Sequence, residues 1–305
     1  MIYFSINLLG LRVLISCIGL VGNVFLILAI IQTKLSRVKS FEFFLLGLSA
    51  ANLEEIVIVN IHDIIILKTS TIDNWLCDML QFLTMFGEIT SIFFTVLICI
   101  FRGQKLRDVD KRVNPIYLDN ARSAWMVSGL FVMVATLLCL PVFAIKPQGL
   151  QGNTTSNISS CTPNFFQCIG NYCPILNRVY KYTFIVVCYL LPLIIVTVTS
   201  CLIIAVLLSR RKTVTPGASE TGSSQFSTKN KDQKIKRSTI AVLAAMGLFQ
   251  VDWSLYLIFQ LTVSHSDYAF WAETEFFLTT SYTSISPYVY GIGNNLFLCK
   301  NFMKK

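Results

Sequence analysis

Seven mainly apolar stretches alternate with polar connections along this chain, at 8–32, 41–67, 76–103, 121–145, 179–209, 237–263 and 271–293. Each is long enough, at about 1.5 Å of rise per residue, to cross a hydrocarbon layer of about 30 Å as a helix. The pattern predicts an all-α membrane protein: one domain over 1–305, folded as a seven-transmembrane helix bundle, with a short amphipathic helix after the seventh span. The third stretch organises the rest. Cys77 stands near its start and Arg102 near its end, a helical distance of about 37 Å that puts a tether at one membrane face and a charge at the other. Between them Thr84, Glu88 and Ser91 fall at i, i+4 and i+7 in an apolar run, with Met85 alongside. That polar face should look into the bundle.

Ionisable side chains at membrane depth are expensive and usually mark function. The second stretch holds Asn52, Glu54, Glu55, His62 and Asp63. Neighbouring residues point about 100° apart, so at least one of Glu54 and Glu55 looks inward. Glu55 and His62, seven apart, share a face; either that face lines an outward-opening cavity, or His62 and Asp63 sit at headgroup depth. The sixth stretch carries Phe249 and Trp253 four apart on one face, beside Asp252 and Tyr256. A carboxylate such as Asp252 needs a partner there. Gly22-Asn23 in the first stretch reads as helix-packing glue, and Trp125 in the fourth as a lipid-facing or packing aromatic. Pro141 and Pro192 should kink their helices, and Pro287 should interrupt the seventh near its end.

Composition excludes a soluble globular domain: 54% of residues are hydrophobic, 13% are charged and the mean hydropathy is +0.64. Of 25 Lys and Arg, twenty fall after the first, third and fifth stretches or in the tail. The excess of basic residues on the inner side predicts an N-terminus outside, with the first span as an uncleaved signal. The net charge of +9 is then topology and contact with anionic membrane lipids, and nucleic-acid binding is excluded. The outer side holds Cys77, Cys161, Cys168 and Cys173, an even set that suggests two disulfides in an oxidising compartment. The same outer loop, 146–178, carries the glycosylation acceptors Asn153-Thr-Thr and Asn157-Ile-Ser. The connection 210–237, rich in Ser, Thr, Gly and Lys, is expected to be a mobile basic loop with helical extensions at its ends. Cys299 is either a palmitoylation site or an inert thiol. Neither a metal-ligand cluster nor a nucleophile motif appears, so catalysis and cofactors are not expected.

Gly22-Asn23, Cys77, Arg102, Trp125, Pro192, Phe249 with Trp253, and Pro287 with Tyr290 and Phe297 resemble, in order and spacing, the landmarks of rhodopsin-like G-protein-coupled receptors across nearly the whole chain. The run Ser281-Tyr-Thr-Ser-Ile-Ser-Pro-Tyr-Val-Tyr290, Cys173-Pro-Ile-Leu before the fifth span and the short N-terminus resemble the vomeronasal type 1 receptors and the related fish olfactory receptors. The loop after Arg102 departs from the mammalian version, which points to the fish group.

The resemblance implies a chemosensory receptor in the plasma membrane of sensory neurons, with a small odorant or pheromone as ligand and a heterotrimeric G protein as partner. It implies a Cys77–Cys173 disulfide, with Cys161 and Cys168 closing a small loop of their own. To a ligand set of Thr84, Met85, Glu88, Glu55 and His62 on the faces above it adds Tyr256, Phe276 and Thr280, with coupling through Arg102 and Tyr290 and a switch core of Asp252, Trp253, Phe249, Asn52 and Pro287; the alternative for Glu88 is a buried group satisfied by a neighbouring hydroxyl. The departures are specific. Phe101-Arg102-Gly103 lacks the usual acid beside the arginine, Ser286 replaces an Asn, Leu255 a proline, and Asn52 the usual buried aspartate, so a sodium site of the common kind is not expected. Intramembrane carboxylates also suit a transporter or ion pathway, the alternative reading, but no inverted repeat supports it. A light sensor lacks its retinal lysine in the seventh span.

Overall fold

The computed structural model describes residues 2–32, 39–68, 73–111, 120–144, 175–213, 225–262, 268–294 and 296. The outer loop with Cys161, Cys168, Cys173, Asn153 and Asn157, the segment after the seventh span with Phe297 and Cys299, and the middle of the 210–237 connection lie outside the described residues. The helices are α1 (Ile2–Ile31), α2 (Ser40–Lys68), α3 (Asn74–Lys111), α4 (Ala121–Cys139), α5 (Ile175–Phe184), α6 (Leu191–Thr213), α7 (Gln225–Thr262) and α8 (Tyr268–Gly293). A π turn, Ile185–Leu190, joins α5 to α6 without a break, so eight α segments make seven rods. Among the described residues there is no strand.

Six rods are long and apolar enough to cross a membrane. The seventh, α8, is 26 residues long but carries Glu273, Glu275 and a run of hydroxyl residues, because its neighbours α1, α2 and α7 supply the polar partners described below. Burial ranks the rods. The spanning window of α3 is 78% buried, whereas those of α4 and of α5–α6 are 22% buried. Leu130, Met133, Leu137, Ile194 and Val198 therefore face outward, as expected where lipid rather than water is the solvent. Trp125 does both things open to it: it is exposed, yet its ring lies 4.2 Å from that of Phe43.

The sequence boundaries shift at the polar ends. α3 continues past 103 to Lys111, and α7 starts at Gln225 rather than 237. Both extensions are rich in Lys, Arg, Gln and Asp, and a helix already nucleated in the membrane adds such residues at little cost. Half of the expected mobile loop is thus helix.

The three prolines each leave a signature. Pro141 lies in a 3-10 turn, Leu140–Phe143, that ends the fourth rod. Pro192 follows the π turn, in which the Leu191 amide bonds the Val186 carbonyl; the wider turn relieves the clash of the proline ring with the preceding turn and aims Tyr189, 3% exposed, into the bundle. Pro287 lies within α8 and has no N–H to give the Thr283 carbonyl. Asn23 supplies the missing donor: its Nδ2 donates to Thr283 O at 3.0 Å and to Gly19 O at 2.9 Å. Close approach of α1 permits this. A Cβ at Gly22 would meet the Tyr288 ring at 2.6 Å and Pro287 at 3.0 Å.

This pairing makes a testable prediction. Asn23→Ala leaves a buried carbonyl unpaired and should cost about 1–3 kcal/mol. In a Pro287→Ala background, where the amide at 287 bonds Thr283 itself, the same change should cost measurably less, read from melting temperatures of the purified variants. Additive costs would refute the assignment.

Candidate functional site

At mid-height the rods meet in a neutral polar hub. Asn52 of α2 donates from Nδ2 to Asn23 Oδ1 at 3.2 Å and to Ser286 Oγ at 3.3 Å, and its Oδ1 accepts from Ser91 Oγ at 2.7 Å. Four rods, α1, α2, α3 and α8, are joined through one amide that uses both its N–H donors and accepts on its oxygen. Beside it Thr95 and Tyr282 share a hydrogen bond of 2.7 Å, and Asp252 finds its partner in Ser281, whose Oγ donates to Oδ2 at 3.0 Å.

Toward the Cys77 end the environment becomes acidic and aromatic. Glu55 and Glu88 are buried, at 3% and 8% exposure, and Glu54 lies against Gly87 of α3, where a Cβ would collide with its carboxylate. Tyr189 packs on Tyr256, ring centres 5.1 Å apart, with Glu88 beside it. Tyr256 in turn accepts from Gln260 Nε2 at 2.9 Å and donates to Glu275 Oε1 at 3.3 Å. Hydrogen bonds thus link Gln260 and Tyr256 of α7 to Glu275 of α8, with Tyr189 of the π turn and Glu88 of α3 alongside. Rings stack beside them: Tyr189 lies 5.2 Å from Trp253 and 5.1 Å from Tyr256, and Phe249 packs 6.0 Å from Trp253 and 5.5 Å from Tyr282.

Farther out, Arg12 of α1 forms ion pairs with Asp63 of α2 at 2.7 Å and Glu273 of α8 at 3.3 Å, and its guanidinium sits 4.1 Å from the centre of the Phe276 ring. Asp63 is therefore an ion-pair partner, while His62 beside it is buried. At the Arg102 end, Arg102 Nη2 donates to Ser238 Oγ at 2.6 Å and to Asn294 Oδ1 at 3.1 Å, Ser238 bonds Asn294, and the guanidinium stacks 3.5 Å from the Phe41 ring. Two hydroxyl or amide acceptors and a π face stand where an acid is usual. Tyr290 is fully buried.

The structure brings Glu55, Glu88 and Tyr256 into one half of the bundle. Met85 and Thr280 are buried and Thr84 is half-buried, whereas Phe276 faces Arg12. Cys77 is disulfide-bonded and its partner lies outside the described residues. Sequence reasoning missed Tyr189, Gln260, Glu275, Arg12 and Ser238. Pro192 was the available signal for Tyr189, since a proline often sits beside a π turn that redirects a side chain; the others had none, because their partners are distant in sequence.

The sequence pattern of the 7 transmembrane receptor (rhodopsin family) matches residues 22–290, and the chain belongs to that family. It is a multi-pass membrane receptor. No curated relative matches it.

The neutral hub gives a second prediction. Exchanging NaCl for KCl should leave the melting temperature of the wild-type protein unchanged, since Asn52 carries no charge and its oxygen already accepts from Ser91. Asn52→Asp should acquire a sodium-dependent rise. A wild-type sodium shift that survives in Asn52→Leu would contradict this reading of the hub.

Proposed function

We propose that this receptor is chemosensory: it takes a small odorant or pheromone-like molecule in the Cys77 half of the bundle and activates a heterotrimeric G protein at the Arg102 end. It would sit in the plasma membrane of sensory neurons with its N-terminus outside. Glycosylation would fall at Asn153 and Asn157, and disulfides would join Cys77 to Cys173 and Cys161 to Cys168. The observation that carries the reading is the division of the bundle. Buried carboxyls and rings gather in one half, and an arginine held, among the described residues, by neutral groups closes the other. The resemblance to vomeronasal type 1 and fish olfactory receptors supports the ligand class.

Activation then needs only a ligand that prefers the bundle with its Arg102 end open. A 100-fold preference supplies about 2.7 kcal/mol of population shift. The resting restraint is of similar size, because a hydrogen bond to a charged group contributes about 1.5–3 kcal/mol and a cation over a ring about 0.5–2 kcal/mol.

Agonist-dependent G-protein activation in a heterologous cell tests the proposal. Arg102→Ala should abolish or sharply reduce it at unchanged surface expression and ligand binding, and normal signalling would reduce the arginine to a topological anchor. Ser238→Ala, which loosens the restraint, should raise ligand-independent signalling by up to about tenfold, the equivalent of about 1.4 kcal/mol.

A further inference from the structure

Buried polar atoms in the Cys77 half are unequally satisfied. Glu54 Oε1 and Oε2, Glu55 Oε2, Glu88 Oε1 and the amide Oε1 of Gln260 have no hydrogen-bond partner; among the described residues of this half the orphan groups able to donate, outside the Arg12 clamp, are the Trp253 indole N–H and the Thr90 hydroxyl. Gln260 is an observation independent of the acids. It is 6% exposed, and its Nε2 is tied to the Tyr256 hydroxyl, which fixes its free oxygen beside Tyr256. A carboxyl accepts at its carbonyl oxygen in either protonation state, and an amide oxygen only accepts. The unsatisfied atoms are therefore mainly acceptors, which a ligand rich in N–H donors would satisfy.

Among the described residues no charged group supplies those donors. Arg12 is committed to Asp63 and Glu273, and among the described residues no Lys or Arg pairs with Glu54, Glu55 or Glu88. A bare metal ion does not fit either, since no three acidic, His or Cys groups among the described residues are placed to hold one. Spaced acceptors beside stacked rings suit a cation that carries several N–H bonds on an apolar body. The rings add attraction for it, as an aromatic face attracts ammonium.

On these grounds, and resting on the reading of the chain as a small-molecule receptor, we infer that its ligand is a protonated organic amine, with the ammonium held between Glu55 and Glu88 and the carbon skeleton against Tyr189, Trp253 and Tyr256. Gln260 takes a further donor, and Glu54, lodged over Gly87, supplies charge behind the ammonium. Such a ligand supplies donors to oxygens that otherwise stay buried and unpaired.

The test is binding to the purified full-length receptor, read as a shift in melting temperature, so that it does not depend on any G protein. The probes are n-butylamine, n-hexylamine and benzylamine, each beside the alcohol and the carboxylic acid of the same skeleton. At least one amine should raise the melting temperature in a saturable way while its alcohol and acid do not. Glu88→Gln should weaken that amine at least tenfold, and Gln260→Leu should weaken it several-fold without touching an acid. The inference is overturned if alcohols or carboxylic acids match the amines, if no amine shifts the wild type, or if the amine shift survives both substitutions unchanged. Amine binding without any G-protein response would count against the proposed function and leave this inference standing.

Discussion

A carbonyl that a proline cannot satisfy holds this bundle together. Pro287 withdraws the donor that Thr283 O would have used, and in a membrane no water replaces it. The Asn23 side chain does, across from α1. Having turned its amide nitrogen to α8, Asn23 offers its oxygen to Asn52, and Asn52 passes the chain to Ser91 and Ser286. Each link depends on the one before it. The small Gly19 and Gly22 let α1 come near enough for the first link, since a Cβ at either would strike α8 or α2.

Around that hub the two ends are held by different physics. The Cys77 end has the Arg12 clamp, in which one guanidinium meets two carboxylates and a ring. Charge-assisted bonds in a partly buried setting are strong. The Arg102 end has neutral acceptors and the Phe41 face, and among the described residues no ion pair holds it. A receptor so built is firmer where α1, α2 and α8 meet near Asp63 and looser where Arg102 closes the bundle. That asymmetry is a suitable basis for a change confined to the Arg102 end.

The acids between hub and clamp follow from the same solvent argument. In water a cluster of Glu54, Glu55 and Glu88 would be hydrated and unremarked. Inside the bundle their oxygens lack partners, and the cost of keeping them there points to use rather than support. The π turn matters for this region, because it carries Tyr189 inward to Glu88 and Trp253 together.

Spans, family resemblance and the buried identity of Phe249, Trp253 and Asp252 were legible in the sequence, because lipid demands long apolar runs and makes each polar exception conspicuous. Helix periodicity also sufficed to put Thr84, Glu88 and Ser91 on one face. Partner choice was not legible. That Asn23 serves Pro287, that Arg102 rests on Ser238 and Phe41, and that Arg12 joins Asp63 to Glu273 are contacts between residues far apart in the chain. Local pattern fixes the direction of a side chain on its own helix but carries no information on which neighbouring rod it will face. The ends of α3 and α7 were misjudged for a related reason: beyond the membrane, hydropathy ceases to report on helix, and continuation depends on the nucleus already formed within it.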